Sequence, residues 1–91
     1  LGLYEEMKRR VPEMTRSQYA ILAVDWIFER PVFKSTDFVE SSGIPRASAR
    51  RLLPVLRDGE VVRTLTAGRG SRPAVYAFAD LLRIAEGRDI V

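Results

Sequence analysis

The chain has 91 residues, 46% of them hydrophobic and 30% charged, with a formal net charge of +3, which suits one small domain with its own core. It contains no cysteine and no histidine, so a disulfide framework and thiolate metal sites are excluded and the commonest general base and zinc ligand are missing. There is no apolar run of the roughly eighteen residues a membrane span needs and no basic-then-apolar leader pattern, so a cytoplasmic protein without membrane contact is expected.

Leu3, Tyr4, Met7 and Val11 recur at helical spacing, which predicts a short first helix over Leu3–Val11 ended by Pro12. That piece is expected to pack on, or lead into, the rest, giving an N-terminal helix over 1–14 and a domain over 15–91. A second helix is predicted over Thr15–Glu29, opening on a Thr/Ser cap. Its centre, AILAVDWIF, is apolar almost all round, the pattern of a buried spine, and Trp26 is expected to pack in the core rather than stack on a base. After Pro31, Val32, Phe33 and Lys34 read as a very short strand. Ser35 and Thr36 can cap a helix over Thr36–Ser41 with Phe38 and Val39 pointing inward. Gly43 stops it in a tight turn, Ile44 is an apolar anchor, and Pro45 suits the first turn of the next helix, where a missing N–H costs nothing.

That next helix begins in the stretch IPRASARRLL, Ile44 to Leu53. Ala49, Leu52, Leu53 and Leu56 follow i, i+3, i+4, i+7 and form its buried stripe. At about 100° per residue the opposite face carries Ala47, Arg50, Arg51 and Pro54, flanked by Arg46 and Ser48. A merely solvated helix would more often mix Glu with Lys, whereas this face has no acid before Asp58. Pro54 removes one helical hydrogen bond and is expected to bend or tighten the helix. Beyond Asp58-Gly59, Val61–Thr66 reads as a strand rich in β-branched residues. Ala74–Phe78 reads as a second, with Tyr76 and Phe78 on one face. The intervening AGRGSRP, Ala67 to Pro73, is expected to be a flexible basic tip. Ala79–Glu86 closes the chain as a short helix with Leu81, Leu82 and Ala85 facing in.

The charge is unevenly spread. Leu1–Pro45 has six Lys/Arg against seven Asp/Glu, Arg46–Val75 has seven Arg against two acids, and Tyr76–Val91 has two Arg against three acids. Seven arginines in one third of the chain point to a polyanionic partner, since the planar guanidinium fork suits phosphates and guanine edges. Helix, short strand, helix, glycine turn, basic helix, strand, basic loop, strand is the order of a winged helix-turn-helix. An α+β fold is expected, with a three-helix core, a β-hairpin wing and short N- and C-terminal helices. In that fold Arg46, Ala47, Ser48, Arg50 and Arg51 hold the groove-facing positions, and Arg69 and Arg72 of the wing lie along the backbone or in a minor groove. Double-stranded DNA is the partner this predicts. The same scaffold also serves protein contact or dimerisation, for which Leu3, Tyr4 and Met7 with the last helix are the candidate surface of a homodimer. No catalytic constellation is visible: the serines lack a base, and Asp37 and Glu40 share a helical face without a partner acid, so neither catalysis nor a cofactor is expected.

Five stretches in order carry a family resemblance: LYEEMK from Leu3, FERPVF from Phe28, SGIPRASARRLL from Ser42, VYAF from Val75 and AEGR from Ala85. Together they resemble the C-terminal winged-helix region of bacterial Fic-family proteins. The resemblance implies an upstream Fic domain, which typically transfers AMP from ATP to a target hydroxyl, and a DNA-binding or regulatory appendage acting in transcription control. The Fic hallmark motif begins with histidine and contains Gly-Asn-Gly-Arg, and it is absent from this chain. A piece of a longer protein is expected, as the non-methionine Leu1 also suggests. Winged helices often carry glycine just before the valine pair, where this chain has Glu60, with Gly59 one position earlier.

Overall fold

The structure, a computed structural model, describes residues 2–83. Of the residues expected to face inward from the last helix, Leu81 is 40% exposed and Leu82 half-buried, and Ala85 lies outside the described residues, as does the AEGR stretch. The fold is α+β. Its elements are α1 (Gly2–Thr15), α2 (Ala20–Glu29), β1 (Val32–Lys34), α3 (Ser35–Ser41), α4 (Arg46–Asp58), β2 (Val62–Thr66) and β3 (Val75–Phe78). The chain turns helical again over residues 79–83. The three strands form one antiparallel sheet in the order β1-β3-β2.

The first two helices divide differently from the sequence reading. α1 does not stop at Pro12 but runs through it to Thr15. Pro12 leaves the Lys8 carbonyl without its helical donor. The helix persists because Met7 and Val11 are 1% and 0% exposed in the core, and because its last turn is closed twice. The Arg16 N–H donates to the Pro12 carbonyl at 2.8 Å, and the Thr15 hydroxyl donates to the Val11 carbonyl at 2.8 Å. Arg16 sits at φ 52°, the left-handed conformation that ends a helix. Thr15 therefore belongs to the end of α1, and α2 begins only at Ala20. Ser17 caps the turn between them, its hydroxyl accepting the Tyr19 N–H at 3.0 Å.

α2 is also less enclosed than its composition suggests. Ala20, Ala23, Val24, Trp26 and Ile27 are buried, whereas Ile21 and Leu22 are exposed. Trp26 is a core residue, packed edge-to-face on Phe33 and Phe38 at ring separations of 5.1 and 5.4 Å. Tyr4 ties α1 to α2: its ring meets Phe28 at 5.1 Å and its hydroxyl donates to Asp25. That hydrogen bond, then burial and the nearby carboxylates, raises the phenol above its ordinary pKa. Met7, expected on a dimer surface, lies in the core, and Leu3 and Tyr4 are half-buried against it. The charged neighbours of Met7 concealed this, because α1 has one narrow inward stripe.

The short strand and the helix after it fall where expected. α3 starts directly from β1 at Ser35, one residue early, with Lys34 rather than Ser35 or Thr36 in the cap position. Lysine has no side-chain acceptor, so there is no side-chain cap, and the Ser35 N–H is engaged by the Ala74 carbonyl at 2.9 Å. Phe38 is fully buried and Val39 half-buried. Gly43 takes φ 83°, and Ile44, 4% exposed, anchors the turn. Ala49, Leu52, Leu53 and Leu56 are the buried stripe of α4, as the spacing predicts. The helix continues through Pro54 to Asp58, with Pro54 and Arg50, whose carbonyl it deprives of a donor, both on the exposed face. Pro45 stands just before the helix, its carbonyl accepting the Ala49 N–H at 2.8 Å.

The end of α4 is a Schellman cap. Val61 N–H reaches the Leu56 carbonyl at 2.9 Å and Glu60 N–H reaches the Arg57 carbonyl at 3.0 Å, so Glu60 occupies the left-handed position at φ 63°. Val61 is thereby spent on the cap, and β2 begins one residue later than the valine pair suggests. Gly59 lies against the flexible end of the Met14 side chain of α1, which would have to shift to admit a β-carbon there. Glu60→Gly relieves the left-handed strain and is expected to stabilise the fold by about 1 kcal/mol. A urea midpoint equal to or below that of the parent chain would contradict the cap assignment.

Candidate nucleic-acid interface

α4 presents Arg46, Ala47, Arg50, Arg51 and Pro54 to solvent, with Ser48 half-buried. The stripe of Ala49 and three leucines fixes this orientation, because burying it leaves no other face for the arginines. There is no acid in the first turn and no side-chain cap. Arg46, in the first turn, thus stands at the positive end of the helix dipole, unfavourable by about 0.3–1 kcal/mol unless an anion is near, and Arg50 and Arg51 follow in the second turn. Arg46 has only a loose partner, Glu40 at 3.9 Å, with both side chains more than half exposed, a pair of little energetic weight. Arg50 and Arg51 pair with no acid among the described residues.

The second cationic element is the hairpin between β2 and β3. β3 is the central strand, with Tyr76, Ala77 and Phe78 buried, while β2 is exposed from Arg63 onward. The ribbon therefore projects beyond the core. Its tip is more ordered than a flexible loop: Arg69 N–H donates to the Arg72 carbonyl at 3.0 Å, and Arg72 N–H donates back to the Arg69 carbonyl at 2.8 Å. Gly70, at φ 55°, and Ser71 make the two-residue turn, with glycine at the first central position that the tight hairpin requires. The bridge sets Arg69 and Arg72 directly opposite each other, so both side chains leave the same face of the ribbon. Like charges so placed repel, and no acid among the described residues relieves them.

α4 has two distinct flanks. On one, Arg46 and Arg50 border a groove with Ser35, Thr36, Glu40 and Tyr76. On the other, Ser48 and Arg51 border a groove completed by Arg16, Ser17, Gln18 and Tyr19 of the turn between α1 and α2. The sequence-predicted residues are therefore not one cluster. Arg46 and Arg50 share a flank, Ser48 and Arg51 share the other, Ala47 lies between, and Arg69 and Arg72 stand apart on the ribbon. Arg16 is the residue the sequence reading missed. A helix drawn from Thr15 hides it in a helical interior, and no spacing signal marks a left-handed arginine.

Among the described residues, no group of three His, Cys, Asp or Glu side chains is placed to hold a metal ion, and no helix is long and apolar enough to cross a membrane. Comparison of the chain with protein-family models, curated proteins and solved structures finds no match.

Proposed function

We propose that this chain is a winged helix-turn-helix module that binds double-stranded DNA. In this reading α3 and α4 are the helix-turn-helix, α4 enters the major groove, and the β2–β3 hairpin is the wing. The observation that carries it is the exposed face of Arg46, Arg50 and Arg51, on which α4 itself places no acid, together with a hairpin tip that has its own opposed arginine pair. Two separate elements hold like charge where the fold gains nothing from it. A phosphate backbone neutralises both. Ala47 and Ser48 are small enough for the helix backbone to approach base edges, and Arg50 can reach guanine bidentately.

The five stretches that resemble Fic-family sequences suggest a narrower proposal. The module is the appendage of an enzyme whose AMP-transferring domain lies upstream, and it positions or regulates that domain. No active-site residue of this chain enters that proposal.

The test is a nitrogen-resolved NMR titration with a random duplex at low salt. Amides of residues 46–51 and 69–72 are expected to shift together. No shifts at these amides would contradict DNA binding and leave the exposed apolar pair Ile21 and Leu22 on α2 as the surface to test for protein contact.

A further inference from the structure

We infer that the groove between the α1–α2 turn and α4 is a phosphate notch, separate from the base-reading flank, in which Arg16 and Arg51 grip one strand of a nucleic-acid backbone. The inference rests on the DNA-binding reading and assigns roles within it. Arg16 and Arg51 come from different elements, line both grooves on this flank, and pair with no acid among the described residues. Two guanidinium groups lining one groove repel unless an anion lies between them. The groove also offers neutral donors. The Ser17 hydroxyl oxygen already accepts the Tyr19 N–H, which leaves its own proton free to donate outward, and Ser48 and the Gln18 amide stand beside it. No carboxylate lines either groove, so the site favours an anion and offers nothing to a cation.

This arrangement divides the arginines of α4 by role. Arg51 faces the notch and positions the helix. Arg46 and Arg50, on the opposite flank, are left to read base edges or the other wall of the groove. Helices seated in a major groove are held by backbone contacts on either side, and those contacts carry no sequence information of their own. Arg16 is therefore a positioning contact whose loss weakens binding without changing preference.

Arg16→Gly is the clean probe, because the residue already holds φ 52° and glycine accepts that conformation, so the fold is retained. The variant and the parent chain are compared by fluorescence anisotropy on an A·T-rich and a G·C-rich duplex across a salt series. Inorganic phosphate is titrated into the parent chain by NMR in parallel. The expected result is a salt slope shallower by about 0.9, with equal weakening on both duplexes. Phosphate is expected to shift the amides of residues 16–19 and 48–51. Unchanged duplex binding by Arg16→Gly overturns the notch while leaving the DNA reading intact. Phosphate shifts at these amides without any duplex binding overturn the DNA reading and the backbone grip with it, leaving only an anion-binding groove. Neither duplex binding nor phosphate shifts overturn both.

Discussion

Phe38→Ala is expected to destabilise the domain by about 3–5 kcal/mol, the cost of emptying a closed aromatic site. Phe38 is 0% exposed and is the one buried side chain of α3. It packs on Trp26 at 5.4 Å and on Phe33 at 5.9 Å, so its loss strips the contact that joins α3 to both α2 and β1. A chain of this size has about 5–14 kcal/mol in total, and the substitution therefore removes a large share. Urea unfolding followed by Trp26 fluorescence reads the change at its source. A loss below about 1 kcal/mol would show that α3 is held by something other than this aromatic cluster.

The second large effect is on binding. Arg50→Ala with Arg51→Ala is expected to lower duplex affinity by about tenfold per arginine near 0.1 M salt and to reduce the salt slope by about 0.9, the share of the phosphate contact assigned to Arg51. Stability should change by no more than about 0.5 kcal/mol, since both side chains are exposed and alanine is at least as good a helix former. Both substitutions leave the leucine stripe untouched, so a loss of binding reports on contact and not on folding. Affinity within twofold of the parent chain would remove α4 from the interface and leave the hairpin tip as the remaining candidate.

Much of this fold is legible where one physical rule dominates locally. The Ala49, Leu52, Leu53, Leu56 stripe needs only helical period, and Gly43 needs only the turn it permits. β1 follows from a proline and three strand-forming positions. The sequence is opaque where tertiary contacts override a local signal. Pro12 looks like a stop, yet α1 passes it because Met7 and Val11 are held by the core. Glu60 takes the left-handed cap position that glycine usually fills, while the adjacent Gly59 lies against the end of the Met14 side chain from α1. A local reading cannot separate those two demands, because they arise from different parts of the chain.

The candidate site divides in the same way. The outward direction of Arg46, Arg50 and Arg51 follows from the stripe alone. The opposed pairing of Arg69 and Arg72 depends on a hairpin register that only the folded ribbon defines. The meeting of Arg16 with Arg51 depends on where α1 ends, and that ending was set by packing. The residues most readable as a site are those whose helix face is fixed by their immediate neighbours.

The most direct test of DNA binding is the anisotropy of a labelled random duplex titrated with the 91-residue chain across a salt series. The arginines on α4, the hairpin and the α1–α2 turn predict affinity near micromolar at low salt, with log K falling by roughly 0.9 per log salt for each phosphate engaged. Absence of binding at the lowest salt would contradict the reading and leave the arginine face to a protein partner.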